Sequence, residues 1–240
     1  MNVKIESNTK NSGLIVGHLV IENIENKKNR NNRMEKLIKE LETEVKQNPE
    51  SFLEKDELKA YEEFINSCKS AITSNDSAPR ILVNIILKQG KLPTISRVVD
   101  CMNVVSIKRG LTISIWDKDR IKGFVTYKLS EGGEKYCPFM GEEVTLLQGE
   151  LATFDEEKVL GLVRYRDSKY APVTLETKNI LVHMQGVGNI SKELVISALD
   201  ELEILLLENV GGITTEKKII NWIKIINSEN KKWKSKSQTG

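Results

Sequence analysis

The sequence predicts an α+β fold: a mixed or antiparallel sheet core with helices on its faces, N-terminal helices and a C-terminal helical extension. One strand-like segment comes first, and several segments with helical periodicity follow it. The middle of the chain then alternates apolar and polar residues as strands do, and helical periodicity returns near the end. Because helices and strands come in separate runs, we expect an α+β arrangement and not repeated βαβ units.

Composition describes an ordinary soluble protein with a substantial core. The chain has 240 residues, of which 39% are hydrophobic and 29% charged. No apolar run approaches the roughly 20 residues of a membrane span, and no N-terminal signal pattern is present. Three widely spaced cysteines indicate neither a disulfide framework nor a zinc site. We therefore expect a cytoplasmic protein without a metal or other cofactor and without a membrane partner; the oligomeric state is left open.

The net charge of +2 is small, and the basic residues are concentrated in two polar segments. Lys27, Lys28 and Arg30 flank an asparagine run, and four lysines surround Trp233 in the last ten residues. We interpret both segments as solvated polar tails or loops.

The N-terminal part is predicted to contain one strand and three helices. Residues 13–22 (GLIVGHLVIE) form the strand and residues 23–32 a polar loop. Pro79 is well placed to open the third helix, and Gly90 to end it. Apolar residues at helical spacing define the three helices: Met34, Leu37, Ile38 and Leu41; Leu58, Tyr61, Phe64 and Ile65; and Ile81, Leu82, Ile85 and Ile86.

Residues 90–117 couple an amphipathic helix to a strand. Pro93 excludes helix before this run, Thr94 is the predicted N-cap, and Gly110 is the predicted stop. An apolar stripe is expected to pack inward: Ile95, Val98, Val99, Met102 and Val105. The opposite side is expected to be free for function: Ser96, Arg97, Asp100 and Asn103. Residues 111–116 then alternate as a strand.

Further strands are predicted over residues 121–129, 144–147, 151–154, 159–165 and 179–185. A helix is predicted from residue 192 to about residue 208, where Gly211 and Gly212 break the pattern. A last helix is predicted to carry Ile219, Trp222, Ile223 and Ile226. We expect one domain over residues 1–188, followed by the helical extension with its basic tail over residues 189–240.

Most familiar catalytic patterns are absent. No GxGxxG follows a strand, and no GxxxxGK[ST] is present, which disfavours Rossmann and P-loop enzymes. Glu142 and Glu143 are neighbours on an extended segment, so they face opposite sides and do not form a glycosidase-like pair. His18 is interpreted as a packed histidine. His183 shares a strand face with Gln185, and a core or sheet-surface role is favoured unless other polar groups converge on it.

The densest polar cluster is residues 164–170, RYRDSKY. Alternation places Arg164 and Arg166 on one face and Tyr165 on the other. Arginines beside aromatic rings pair with phosphates and stack on bases, which favours RNA contact. A solvated hairpin end explains the same pattern equally well.

Three stretches, read together, resemble the tRNA-binding and editing domain of the phenylalanyl-tRNA synthetase beta subunit in a free-standing form. The first stretch is a helix, a glycine and a strand that ends in an aromatic residue and an aspartate: Leu92-Pro93, Val98-Val99-Asp100, Asn103-Val104-Val105, Gly110 and Ile115-Trp116-Asp117. The second stretch, residues 132–143, leads from a Gly-Glu turn to Gly141-Glu142-Glu143. The third stretch, residues 159–186, contains Thr174, Glu176-Thr177 and Asn179-Ile180-Leu181. The resemblance covers roughly residues 1–188.

The resemblance implies hydrolysis of the ester that joins a wrong amino acid to tRNA. An ester needs only an oriented water and donors for the oxyanion, so no catalytic triad is expected and no catalytic residue is assigned. Ser114 stands where the family has a histidine, and His183 stands at or near its glutamate in the last strand. The resemblance implies a substrate pocket lined by Asn103, Ser114, Gly141, Glu142, Gly161, Thr174 and His183.

Three functions are therefore considered. The first is a free-standing editing hydrolase that acts on the aminoacylated 3′ end of a misacylated tRNA, such as tyrosine on phenylalanine tRNA. The second is a non-catalytic module on the same fold that binds tRNA, another RNA or a partner. The third is a small-molecule enzyme that reuses the pocket.

Overall fold

Two four-stranded sheets form the centre of the structure, a computed structural model that describes residues 1–68, 70, 72, 76–163 and 165–221. Its strands are β1 (Val3–Ile5), β2 (Ile15–Glu22), β3 (Thr112–Asp117), β4 (Val125–Leu129), β5 (Lys135–Tyr136), β6 (Val144–Thr145), β7 (Leu151–Phe154), β8 (Val159–Leu162), β9 (Ile180–Gly186) and β10 (Ile213–Asn221). Its helices are α1 (Asn32–Gln47), α2 (Glu50–Leu53), α3 (Asp56–Ser67), α4 (Ala78–Gln89), α5 (Arg97–Arg109) and α6 (Lys192–Val210).

The strand order confirms the predicted α+β class. The first sheet has the order β10-β2-β9-β3 with antiparallel pairs throughout. The second has the order β1-β4-β7-β8, in which β1 runs parallel to β4 and the other pairs are antiparallel. Strands β5 and β6 form a short separate ladder.

Helix α6 lies directly on the first sheet, because the strands beneath it carry glycine. A Cβ added at Gly17 in β2 would come within 3.1 Å of the Val195 side chain, and one at Gly186 in β9 would meet the same residue at 3.1 Å. These two glycines permit a close approach of helix and sheet. The inner face of α6, including Val195, Ala198 and Leu199, is fully buried there.

Helix α5 differs from its prediction at its start and on its polar side. The N-cap is Ser96, whose side chain accepts from the Val99 N–H, and not Thr94. Asp100 and Asn103 are buried, whereas Ile95 is 50% exposed. The expectation of a free polar side is therefore wrong, because α4 and α6 both pack against α5 and the buried Arg30 side chain pairs with Asp100 at 2.7 Å. Gly110 ends the helix in the left-handed conformation, as predicted.

The end of the described chain is a strand, although a helix was predicted there. Strand β10 pairs with β2 from Ile213 opposite Glu22 to Asn221 opposite Ile15. Pairing satisfies backbone N–H and C=O groups of β2 that would otherwise lack partners. The prediction was wrong for Ile219; Trp222, Ile223 and Ile226 lie outside the described residues, as does the basic tail. The boundary expected after residue 188 stays a prediction.

Within the described part of the chain, no helix is long and apolar enough to cross a membrane. The cytoplasmic setting stays a prediction.

Candidate functional site

A chain of buried polar side chains runs through the protein interior along the first sheet. His18 Nδ1 lies 2.9 Å from His183 Nε2. His183 Nδ1 lies 2.8 Å from the Tyr127 hydroxyl. The Gln185 amide nitrogen donates to the Tyr127 and Ser114 hydroxyl oxygens, at 3.2 Å each. The register explains the convergence, because β9 is the central partner and places His183 opposite both His18 in β2 and Ser114 in β3.

Burial keeps these groups uncharged. It lowers the pKa of His18 to about 4, although the nearby Glu216 carboxylate opposes this shift. It lowers the pKa of His183 well below the usual value, with a further contribution from His18. It also raises the pKa of the Tyr127 hydroxyl. The imidazoles therefore act at neutral pH as neutral hydrogen-bonding groups.

Asp167 adds a carboxyl group to this chain. It lies beside the Ser114 hydroxyl, the Ile115 backbone N–H and the Trp116 indole. Burial raises the pKa of Asp167 to about 7, and the three neighbouring donors only partly offset that rise. The indole N–H of Trp116 has no hydrogen-bond partner among the residues described.

Gly161 leaves room for the Asp167 carboxyl. A Cβ built at Gly161 would come within 2.8 Å of Asp167 Oδ1, closer than side-chain atoms approach one another without displacement. The two residues also form an isolated antiparallel bridge. A side chain at position 161 would therefore displace the carboxyl from Ser114.

A small cleft of about 150 Å³ lies between α4, α5, β3 and the turn after β8. Its polar lining includes Asn103, Ser106 and Arg166. The Arg166 guanidinium lies 5.3 Å from the centre of the Tyr165 ring, which also lines the cleft. This pair is an exposed cation on a half-buried aromatic ring.

The predicted pocket residues fall into separate places. Ser114, Gly161 and His183 are joined through Gln185, Tyr127 and Asp167. They belong to the buried chain, since Ser114 is 8% exposed and His183 fully buried. Asn103 and Arg166 line the cleft.

The other predicted residues lie further out. Gly141 and Glu142 belong to an exposed loop, which is held to the Asp167 turn by the Phe139 N–H and the Asp167 carbonyl oxygen at 2.9 Å. Thr174 lies towards the Asp117 end of β3, where its N–H donates to Thr177 Oγ1 at 2.9 Å. Thr177 in turn donates to Asp117 at 2.7 Å. Arg164 lies outside the described residues.

Sequence reasoning missed Asp167 and Tyr127. Asp167 lies within the RYRDSKY cluster, for which only RNA contact by the arginines was predicted. Tyr127 was only one position of a predicted strand. Cys101 and Cys137 are free, buried cysteines. Across the described ranges, no group of three histidine, cysteine or acidic side chains is arranged to hold a metal.

Comparison with known proteins identifies the family. Residues 60–197 match the B3/4 domain, which is more than half of the chain. The chain therefore belongs to the B3/4 domain family. The predicted resemblance to the phenylalanyl-tRNA synthetase beta subunit is confirmed.

Two relatives show the extent of this similarity. The phenylalanine–tRNA ligase beta subunit of Vibrio vulnificus (strain YJ016) is 26% identical over 149 residues, which cover 52% of this chain and 19% of that protein. The beta subunit of Photorhabdus laumondii is 27% identical over 96 residues, 40% of this chain and 12% of that protein. The chain thus matches about a fifth or less of the length of these curated relatives.

Among solved structures, an N-terminal fragment of the phenylalanyl-tRNA synthetase beta subunit from Pyrococcus horikoshii is similar, with a TM-score of 0.48 and 18% identity. The similarity covers 91% of this chain and 50% of the fragment.

Proposed function

We propose that this B3/4 protein binds the aminoacylated 3′ end of a tRNA at the cleft beside helix α5. The relatives are subunits of a ligase that acts on tRNA. The observation that carries the proposal is the pair formed by Arg166 and Tyr165 at the cleft. Such a pair offers a cation to a phosphate and an aromatic surface to a base.

The size and lining of the cleft suit one residue-sized group. Its volume of about 150 Å³ is smaller than the roughly 300 Å³ at which pockets for drug-sized molecules begin. Apolar walls from Ile81, Leu82 and Ile113 surround the Asn103 amide. An amino-acid side chain or a terminal base fits this description, while the rest of a tRNA stays outside.

Binding is tested by titrating the full chain with tRNA at several salt concentrations. We expect affinity to fall as salt rises, because phosphate contacts release counterions. Arg166→Ala should weaken binding by roughly tenfold, the effect of losing one charge-assisted contact. Arg33→Ala is the matched control, because Arg33 is 75% exposed on α1, away from the cleft. Equal effects of the two substitutions would remove Arg166 from the site.

A finer proposal is that the protein hydrolyses misacylated tRNA, such as tyrosine on phenylalanine tRNA. The observation that favours it is the Asp167 carboxyl, which directly follows the cleft residue Arg166 in the chain and whose pKa, raised to about 7 by burial, suits general-base catalysis at neutral pH. In this step the carboxylate accepts a proton from water while the water oxygen attacks the ester carbonyl. The bond from that carbon to the ribose oxygen then breaks, and the ribose oxygen leaves as a hydroxyl by taking up the proton that Asp167 had accepted.

Hydrolysis is tested with a panel of mischarged tRNAs. We expect Asp167→Asn to lower the deacylation rate by about 100-fold or more, the usual contribution of a general base, with tRNA affinity unchanged. Asp56→Asn is the control, because Asp56 is 91% exposed on α3. Deacylation at the buffer rate for the whole panel, with salt-dependent binding retained, would leave the protein as a non-catalytic tRNA-binding module.

A further inference from the structure

The buried polar chain ends in a carboxylate on each side. At one end His18 Nε2 lies 3.3 Å from Glu216 Oε2, in β10. At the other end the Ser114 hydroxyl lies beside the Asp167 carboxyl. Five neutral groups lie between these ends: His18, His183, Tyr127, Gln185 and Ser114. Each hydrogen bond along this series needs one donor and one acceptor, so the positions of the hydrogens are linked.

The Glu216 end fixes the direction of donation. Glu216 accepts from the Met1 ammonium group and from Lys218. Burial tends to raise the pKa of Glu216, but bonds from Lys218, the amino terminus and His18 outweigh it and lower the pKa to about 2. An ionised carboxylate only accepts hydrogen bonds. The ionised carboxylate at 3.3 Å repels a lone pair on His18 Nε2 and attracts a hydrogen there, so the hydrogen of neutral His18 is assigned to Nε2, although the contact lacks the geometry of a hydrogen bond.

The remaining hydrogens follow from that first one. With its hydrogen on Nε2, neutral His18 has Nδ1 free to accept, so His183 Nε2 must donate to it. His183 Nδ1 then accepts, and the Tyr127 hydroxyl donates to it. The Tyr127 oxygen in turn accepts from the Gln185 amide nitrogen, at 3.2 Å.

Gln185 also joins Ser114 to this series. The Ser114 oxygen accepts from Gln185, which leaves the Ser114 hydrogen free for the Asp167 carboxyl beside it. The Gln185 amide nitrogen is 3.2 Å from the Ser114 and Tyr127 oxygens alike, and it carries two hydrogens. One amide group therefore supplies both branches.

We infer that Glu216 is a positioning residue that holds both buried histidines in the tautomer protonated at Nε2 and so directs hydrogen-bond donation along the series from Gln185 towards its own carboxylate. Because the Ser114 oxygen accepts from Gln185, the Ser114 hydrogen is left free for the Asp167 carboxyl. The catalytic consequence of that last contact rests on the proposed function, whereas the tautomers do not.

The test is a ¹H–¹⁵N spectrum of the imidazole rings in the full chain near pH 7.5. Only two histidines are present, so the spectrum contains the signals of two imidazole rings. We expect both rings to carry hydrogen on Nε2, in roughly tenfold excess over the Nδ1 form, as the attraction between an N–H group and a carboxylate 3.3 Å away implies. A predominant Nδ1 hydrogen on either ring would overturn the inference. No tRNA is needed, so this result is independent of the proposed function.

Variants test the role of Glu216 itself. Glu216→Leu removes the acceptor, and we expect the excess of the Nε2 form at His18 to fall by several-fold. Glu203→Leu is the matched control, because Glu203 accepts from the neighbouring Lys217 and Thr214, and its spectrum should be that of the wild type. An unchanged tautomer ratio in folded Glu216→Leu would contradict the assignment. If that variant does not fold, Glu216→Gln, which retains an acceptor oxygen, must keep both Nε2 hydrogens, and a shift to Nδ1 would again overturn it.

Discussion

At the residue scale, burial and neighbouring groups decide ionisation in this protein. His18 and His183 have lowered pKa values and are neutral, whereas Asp167 has a raised pKa of about 7. The sequence indicated that His183 shares a face with Gln185, and this pairing is part of the observed chain. It could not show that Tyr127 and Asp167 complete the chain, because both come from elements distant along the sequence.

The two kinds of group affect stability in opposite directions. The unfolded chain binds more protons at its histidines below pH 6.5, so acid destabilises the fold through them. Between pH 3.8, the ordinary pKa of an aspartate, and about pH 7, Asp167 binds a proton in the folded state but not in the unfolded state. Acid therefore stabilises the fold through Asp167. The stability that the neutral histidines contribute is lost as the pH falls below 6.5, and for His18 this loss continues down to about pH 4. The stability that protonated Asp167 contributes is present at low pH and is lost as the pH rises through about 7.

We expect Asp167→Asn to expose the histidine effect. The free energy of unfolding of this variant should fall more steeply than that of the wild type between pH 7 and pH 5. His18 alone accounts for on the order of 2 kcal/mol at pH 5. Urea denaturation at a series of pH values measures both slopes, and parallel curves would contradict the opposing contribution of Asp167.

At the scale of single elements, helix α5 shows how packing changes the meaning of a pattern. Periodicity predicted the helix and Gly110 predicted its end, whereas its N-cap is Ser96 and not Thr94. Its polar side was expected to be free, yet Asp100 and Asn103 are buried. The reason is a partner from elsewhere in the chain: the Arg30 side chain, itself only 5% exposed, neutralises Asp100 at 2.7 Å.

Asp100→Ala should therefore destabilise the protein by about 3–5 kcal/mol, because it leaves the buried Arg30 guanidinium unpaired. Lys108→Ala, near the end of the same helix, is the comparison. Lys108 is 41% exposed and pairs with Glu201, and breaking such a surface pair costs at most about 1 kcal/mol. Thermal and chemical denaturation measure both variants. Similar losses for the two would show that Asp100 is not held in a buried ion pair.

At the scale of the whole molecule, the last strand closes the first sheet. Strand β10 pairs with β2 along its length and brings Glu216 to His18. Helix was predicted for its end because isoleucines at positions 219, 223 and 226 fall at helical spacing. The open edge of β2 outweighs that local preference, since unpaired backbone groups of a buried strand are costly.

A chain that ends at Val210 lacks β10 and should be destabilised by on the order of 3 kcal/mol or more, from several lost ladder hydrogen bonds. The comparison is a chain that ends at Asn221 and retains the whole strand. Urea denaturation followed by circular dichroism measures the difference. Equal stability of the two truncated chains would contradict a structural role for β10.

Local patterns in the sequence determined the class of fold and the positions of most helices and of strands β2, β3, β7 and β9, and the order of three stretches gave the resemblance to the synthetase beta subunit. These depend on periodicity, turn residues and the order of motifs, all of which are local in the chain. Tertiary structure alone decided the burial of Asp100, the strand at β10 and the chain from Glu216 to Asp167. His18 and His183 meet across 165 positions of sequence. No local pattern encodes such a contact, because it forms only when β9 pairs with both of its neighbouring strands.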